Sequence, residues 1–291
     1  MSSHRSAPDD LRRQVDEIDD AIFDLLVKRA RLGETIARAG TDGQPSFQPG
    51  REEAILRRLV ARTAEPLPVS AMVRIWREIF AASMRLQGDF AVAVHVPEDK
   101  RDLWDLARDH YGSITPISAM TAATPALRAV IDGSATVAVL PWPEDNDPEP
   151  WWPTLMSLDS KTPRVVACLP FLAASPGEGH TALAVARTIR EPTGDDHTLI
   201  GVELSGDVSR SRLKEALEAV NLHPLAFWGT RVGGGTVPLY LIEVAGYVGS
   251  GDPRLDALLE RLGEVGQRIL PIGGFATPLT VGRTTRKGKV S

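Results

Sequence analysis

The sequence is poor in the residues on which several classes of protein depend. It has 291 residues but one cysteine, Cys168, so an intrachain disulfide and a cysteine-rich metal site are both excluded. Six histidines are scattered without metal-ligand spacing, and no GxSxG, Walker or GxGxxG pattern occurs. We therefore expect the protein to use no metal and no cofactor.

Long apolar runs and an excess of positive charge are also missing. No run approaches the ~18 apolar residues of a membrane span, and the N-terminal stretch MSSHRSAPDD lacks the apolar centre of a signal peptide. The net charge of −5 provides no basic field for nucleic acid or anionic lipid. Residues 279–291 resemble a flexible basic tail. We expect a soluble, cytoplasmic protein with no nucleic-acid partner and no membrane partner.

The first third of the chain has the apolar spacing of a long amphipathic helix. Apolar residues recur in steps of four and three, a pattern typical of a helix that packs along other helices; they are Leu11, Val15, Ile18, Ile22, Leu25, Leu32 and Ile36. Position 29 belongs to the same stripe but holds Arg29. A cation on a buried stripe needs an anion to meet it, whereas a slightly rotated helix would let Arg29 reach water. The spacing leaves both readings open.

Two more helices are predicted, from about Arg51 to Thr63 and from Val69 to Gln87, separated by turns rich in proline and glycine. The apolar stripe of the second helix begins with the charged pair Arg51 and Glu52. The stripe of the third continues onto Ser83 and Gln87, which need hydrogen-bond partners if they are buried. Together with Arg29, these side chains predict a polar pocket inside a helical bundle.

Three segments carry a family resemblance: LRRQVDEIDDAIFDLLVKRARLGETIA, GREEAILRRL and VRIWREIFAASMRLQ. In this order and spacing, residues 8–88 resemble the all-helical chorismate mutase family. The resemblance implies that Arg12 and Arg29 bind the two carboxylates of chorismate with help from Ser83. It also implies that Arg51 and Glu52 position the ring and its hydroxyl, and that Gln87 donates to the ether oxygen of the breaking C–O bond.

Two positions depart from the family pattern. Gln48 stands where the family has an aspartate, and it can still accept a hydrogen bond from a hydroxyl. Gly40 stands where the family has a lysine that stabilises charge on the ether oxygen. Three alternatives follow: Arg38 reaches into the site, the mutase is slow, or the site has become a sensor.

The spacing of the two arginines bears on oligomeric state. Arg12 and Arg29 are 17 residues apart, about 25 Å along one helix. One chorismate cannot contact both on the same chain. The resemblance implies an intertwined homodimer in which Arg12 of the partner subunit completes each site.

After Gly88 the pattern changes to alternating strands and helices, which predicts an α/β segment over 89–195. Residues 196–278 are predicted to form strand, helix, strand, strand, helix, strand, the order of ferredoxin-like folds. The order of these segments along the chain resembles that of proteins that join a chorismate mutase to a prephenate dehydratase and an ACT domain. At the dehydratase Thr-Arg-Phe motif only Thr198 matches, because Leu199 and Ile200 replace the arginine and the phenylalanine. We interpret Trp151 and Trp152 as packing residues, and 195–197 as a solvated turn.

The predicted fold is therefore multidomain α and α+β: a three-helix mutase bundle, a degenerate dehydratase-like α/β segment and an ACT-like βαββαβ domain. The leading hypothesis is a dimeric chorismate mutase in phenylalanine and tyrosine biosynthesis. A sensor that binds chorismate or an aromatic amino acid is the alternative from another class. Residual prephenate dehydratase activity is a third.

Overall fold

The computed structural model describes residues 7–39, 47–63, 65–96, 102–173, 182–232 and 237–280. Gly40 and most of the basic tail lie outside these ranges. Within them the chain forms seven α-helices: α1 Ala7–Ala39, α2 Pro49–Val60, α3 Val69–Gln87, α4 Asp102–Tyr111, α5 Ala123–Asp132, α6 Arg210–Ala219 and α7 Pro253–Leu262. None of these helices combines the length and the apolar character that crossing a membrane requires.

The first three helices form where the periodicity predicts them. Pro49 occupies the first turn of α2, where its missing N–H removes no helical hydrogen bond, and Gly88 follows the last residue of α3. Helices α2 and α3 share a small apolar core made of Leu56, Met72, Val73 and Phe80 with Phe171 from the α/β segment. The bundle is thus packed against the rest of the chain.

The apolar stripe of α1 is not covered by the described residues of the same chain. Its seven predicted core positions are between 49% and 65% exposed; they are Leu11, Val15, Ile18, Ile22, Leu25, Leu32 and Ile36. A stripe of this length is typical of a helix that packs along another helix. The chain therefore presents a long apolar surface on α1.

The rest of the chain is built on a nine-stranded sheet with the order β2-β1-β3-β6-β4-β10-β7-β9-β8. Its strands are β1 Val92–His95, β2 Ile117–Met120, β3 Val137–Pro141, β4 Arg164–Leu169, β6 Ala182–Ala186, β7 Asp196–Leu204, β8 Pro224–Val232, β9 Val237–Ala245 and β10 Gly266–Ala276. Two short strands, β5 Leu172–Ala173 and β11 Leu279–Thr280, pair separately. Strand β1 runs parallel to β2 and β3, as the α/β pattern predicts.

The second half of the sheet confirms the predicted ferredoxin-like order. Strands β10, β7, β9 and β8 are adjacent and antiparallel, and α6 and α7 connect them as β7-α6-β8-β9-α7-β10. Five strands, β2, β4, β5, β6 and β11, fall in stretches where the sequence patterns predict no strand, and β11 occupies the first two residues of the predicted basic tail.

One glycine joins the two halves of the sheet. Gly273 of β10 pairs with Val165 of β4, and a Cβ on Gly273 would lie 2.2 Å from the Val165 carbonyl oxygen. Its φ of +124° is also unfavourable for any side chain. Since the sheet is continuous across residue 195, the bounds 8–88, 89–195 and 196–278 remain predictions.

The interpretation of 195–197 as a solvated turn is wrong for two of its three residues. Asp196 is 4% exposed and accepts a hydrogen bond from the Thr193 amide at 2.8 Å. His197 lies in β7 with its Nδ1 2.5 Å from Oε1 of Glu243. These side chains are buried because polar partners meet them: Thr193 and Arg190 from the segment before β7 contact Asp196, and Glu243 of β9 contacts His197. Trp151 and Trp152 are 5% and 1% exposed, which confirms their packing role.

Candidate active site

The centre of the candidate site is a contact between α1 and α3. The Arg29 guanidinium donates to the Ser83 hydroxyl, and that hydroxyl donates to the Ile79 carbonyl at 2.8 Å. Arg29 also lies over the Phe80 ring, 5.6 Å from its centroid. Arg29 is therefore half-buried and turned toward α3, where the sequence predicts a polar pocket.

Glu52 brings a carboxylate from α2 to the same region. Its side chain is 15% exposed, and burial raises its pKa to about 7. Arg77 and then Arg29 act against this rise, because each cation favours the charged carboxylate. Burial in turn lowers the pKa of Arg29, Glu52 raises it, and Arg51 lowers it. Arg29, Arg51 and Glu52 thus share one electrostatic environment.

The strongest partner of Glu52 is a residue that was not predicted. Arg77 of α3 is 3% exposed, and its Nη1 lies 3.3 Å from Oε2 of Glu52. A signal for it exists in the sequence, since Arg77 falls four residues after Val73 and three before Phe80, on the apolar stripe of α3. A charged residue at such a position indicates a buried partner.

Two predicted glutamines lie near the start of α2 and the end of α3. A Cβ built on Gly33 of α1 would lie 3.8 Å from Nε2 of Gln87, so the Gln87 amide faces α1. The backbone carbonyl of Gln48 accepts the backbone amides of Arg51 and Glu52 at 3.1 and 3.2 Å, which fixes the main chain of Gln48 before the first turn of α2, where its side chain caps no backbone amide.

The two remaining predicted residues lie apart from this cluster. Arg12 is 79% exposed and pairs with Asp9 at 3.3 Å, and Arg38 is 80% exposed and pairs with Glu34 at 3.2 Å. Both pairs are internal to α1. Since α1 is one continuous helix from Ala7 to Ala39, the separation of about 25 Å between Arg12 and Arg29 is retained.

A second polar cluster, which was not predicted, lies behind the pocket. Glu53 is 1% exposed, and its carboxylate oxygens make no hydrogen bond of good geometry with the described residues, although the Ala276 backbone lies close enough to favour the charged form. Burial raises its pKa to about 8, against Arg77. The Tyr111 hydroxyl is likewise without a partner among the described residues, and burial together with Arg77 lowers the pKa of His110 well below its usual value.

The arrangement is suited to binding a small anion rather than to covalent chemistry. A guanidinium fork with a hydroxyl beside it matches a carboxylate, and the Glu52 carboxylate can accept a hydrogen bond from a hydroxyl of the ligand. In the part of the chain that the structure describes, no group of three His, Cys, Asp or Glu side chains could hold a metal ion.

Residues 11–88 match the sequence model of the family described as chorismate mutase type II. The chain is 29% identical over 137 residues to the bifunctional chorismate mutase/prephenate dehydratase of Stutzerimonas stutzeri, covering 45% of this chain and 37% of that protein. The protein of the same description from Aquifex aeolicus is 32% identical over 94 residues, covering 31% of this chain and 26% of that protein. The matches therefore span well under half the length of these curated relatives.

Among solved structures, the prephenate dehydratase from Arthrobacter aurescens in complex with L-Phe matches with a TM-score of 0.47 and 14% identity. The match covers 66% of this chain and 93% of that chain. A similarity at this level carries no argument about function.

Proposed function

We propose that this chain, whose residues 11–88 form a chorismate mutase type II domain, catalyses the rearrangement of chorismate to prephenate as a cytoplasmic homodimer. The observation that carries the proposal is the convergence of Arg29, Ser83, Glu52 and Gln87 from three helices. The rearrangement is unimolecular. Catalysis therefore reduces to holding the compact conformer and stabilising the charge that grows on the ether oxygen.

Each side chain has a role that its environment supports. Arg29, held by Ser83, binds one carboxylate of chorismate in a fixed orientation. Glu52 accepts a hydrogen bond from the ring hydroxyl, and Arg51 lies beside it at the start of α2. The Gln87 amide donates to the ether oxygen. Gln48 remains a proposed second acceptor for the hydroxyl, close to Arg51.

The exposed stripe of α1 supports the homodimer. Burying the exposed half of seven Leu, Ile and Val side chains is worth on the order of 5–10 kcal/mol per chain, before the cost of association. A second copy of α1 and its bundle has the matching stripe. Arg12 lies at the end of α1 that extends away from Arg29, and in the intertwined dimer that the family resemblance implies, Arg12 of the partner subunit would lie at the open side of the pocket.

Arg38 and the missing lysine bear on rate rather than on binding. Loss of one well-aimed donor to a developing oxyanion reduces the rate by roughly 10²–10³-fold. Arg38 pairs with Glu34 on its own helix, so we expect a slow mutase. A sensor that binds chorismate without turning it over is the second candidate, and the Arg38–Glu34 pair favours this candidate as well.

Residual dehydratase activity is not proposed. Thr198, the residue that matches the dehydratase motif, is fully buried. Its hydroxyl donates to the Gly246 carbonyl at 2.8 Å and accepts from the Val248 amide at 3.0 Å. It is thus engaged in holding β7 against the turn that follows β9.

The test follows the loss of chorismate absorbance with the purified chain, and measures phenylpyruvate before and after acid treatment. We expect slow turnover to prephenate that Arg29→Ala reduces by about 100-fold, since the charge-assisted contact of Arg29 with a carboxylate of chorismate, worth about 1.5–3 kcal/mol, is lost. Arg31→Ala, at an exposed position of the same helix, is the matched control and should keep wild-type turnover.

Binding of chorismate without turnover would favour the sensor hypothesis over the enzyme hypothesis. Phenylpyruvate formed before acid treatment would show dehydratase activity. Turnover that survives Arg29→Ala unchanged would contradict the proposed site.

A further inference from the structure

Arg77 stands between the mutase helices and the α/β segment. On one side its Nη1 pairs with Glu52 of α2 at 3.3 Å. On the other side its guanidinium lies 5.8 Å from the centroid of the Phe171 ring, which follows β4. His110 and Tyr111 of α4 are close enough for Arg77 to affect their titration. The side chain is 4% exposed in this enclosure.

We propose that Arg77 is a positioning residue for the mutase reaction: it keeps the Glu52 carboxylate charged and directed into the pocket, and the α/β segment contributes by enclosing Arg77. This inference rests on the proposed function. It assigns part of the mutase site to the two thirds of the chain outside the mutase domain.

The charges around Glu52 show why Arg77 remains the counter-ion of Glu52 after chorismate binds. The titratable groups that surround Glu52 come from four helices: Arg29 on α1, Arg51 and Glu53 on α2, Arg77 on α3, and His110 and Tyr111 on α4. Arg29 has a carboxylate of chorismate to bind. Its charge is then matched by the ligand, which leaves Arg77 to hold Glu52 in the charged form.

The other buried acid does not compete for Arg77 near neutral pH. Burial raises the pKa of Glu53 to about 8, so Glu53 is largely protonated at pH 7. His110 is neutral there, since burial and the Arg77 charge lower its pKa. Glu52, whose pKa is about 7, is about half ionised at pH 7, and it is the acid in this enclosure that pairs with Arg77.

The α/β segment strengthens the pair by excluding water. A Coulombic interaction in a partly dry interior is several-fold stronger than in bulk water. Phe171 covers one side of the guanidinium, and Tyr111, 5% exposed, and His110, 7% exposed, lie on the α4 side. Neither Phe171 nor α4 belongs to the segment that matches the mutase family.

The test compares kcat/KM against pH for wild type, Arg77→Met, Arg77→Lys, Glu52→Gln and the double variant Arg77→Met/Glu52→Gln. Loss of the positive charge should raise the pKa of Glu52 by about 1–3 units. The acidic limb of the pH profile should move to higher pH by the same amount in Arg77→Met. Since the Glu52 pKa is about 7 in the wild type, activity at pH 7 should fall by between about 5-fold and about 500-fold and recover at high pH. Arg77→Lys, which keeps the charge, should restore most of the wild-type profile.

Arg74→Met is the matched control. Arg74 lies one turn before Arg77 on α3, is 67% exposed, and pairs with Asp109. Its removal should leave the acidic limb in place. An unmoved limb in a folded Arg77→Met protein would overturn the proposal, because the arginine would then have no influence on the Glu52 charge.

The double variant keeps the test decisive if Arg77→Met does not fold, because removing both charges avoids an unpaired buried ion. The double variant should be as active as Glu52→Gln alone, and any further loss would show that Arg77 acts by another route. The Glu52 carboxyl is also titrated by NMR in wild type and Arg77→Met. That titration tests the ion pair even if the wild type does not turn over chorismate, which would defeat the proposed function alone.

Discussion

Glu53→Gln is the substitution whose effect on stability the structure specifies most closely. Glu53 lies on the buried face of α2, 1% exposed, and its carboxylate oxygens make no hydrogen bond of good geometry with the described residues. Burial raises its pKa from an ordinary value of 4.5 to about 8. Glutamine has nearly the shape of the protonated acid and cannot ionise. The substitution therefore removes the titration and keeps the packing.

The sign of the effect follows from proton binding. Between pH 4.5 and about 8 the folded protein holds a proton on Glu53 that the unfolded chain has released, so this residue makes the free energy of unfolding fall as pH rises. From pH 4.5 to 7 the interval is 2.5 units, which at about 1.4 kcal/mol per unit amounts to roughly 3 kcal/mol. We expect Glu53→Gln to match wild type near pH 4.5 and to exceed it by about 3 kcal/mol at pH 7.

The assay is urea unfolding of both proteins at equal chain concentration, from pH 5 to pH 8, since the proposed dimerisation would make stability depend on concentration. Glu260→Gln, at an exposed position of α7, is the control and should give a difference that does not change with pH. A Glu53→Gln difference that stays constant over this range would refute the reasoning, because Glu53 would then ionise alike in the folded and unfolded chains.

Two further predictions concern the dimer and the sheet. Ile22 lies in the middle of the exposed stripe of α1 and is 49% exposed. Ile22→Glu should convert the proposed dimer to monomers, as measured by light scattering, and should abolish turnover. Asp20→Asn on the same helix is the control and should do neither, and a dimer that survives Ile22→Glu would place the interface elsewhere. Gly273→Ala should lower the free energy of unfolding by at least about 3 kcal/mol in urea unfolding, since its Cβ would meet the Val165 carbonyl at φ +124°. Gly206→Ala, where a Cβ meets nothing within 4 Å, is the control, and an equal effect of the two would contradict this account.

The helices and the ferredoxin-like order could be predicted because local chemistry determines them. α3 begins at Val69 and ends at Gln87, as the periodicity and the residues Pro68 and Gly88 indicate. The strands of the second half alternate with helices in a pattern that few other folds share. A resemblance of motifs then placed Arg29, Ser83 and Glu52 in one pocket, and the structure brings these three side chains to the same region.

The rest depends on partners that lie far along the chain. Glu53 has the character of a solvated helix face, and the partners that enclose Arg77 on the apolar stripe of α3, Phe171 and α4, come from later in the chain. Asp196 has the character of a turn residue until Arg190 and the Thr193 amide meet it. Local patterns also do not indicate that the strands before and after residue 195 belong to one sheet. The two halves are joined where Gly273 pairs with Val165, and this long-range backbone pairing leaves no local sequence signal.

The same packing explains how the proposed pocket can be both anchored and open to a second chain. Arg57 of α2 donates to the Thr193 hydroxyl at 2.9 Å, the Asp195 carbonyl at 2.7 Å and the Thr277 carbonyl at 2.8 Å. These bonds fix α2, and with it Glu52, to the rest of the chain. Helix α1 meets α3 through Arg29 while its apolar stripe remains exposed. In the proposed homodimer a second chain would dock on α1 without displacing α2, so the Arg77–Glu52 pair would already be in place before the partner subunit completes the pocket.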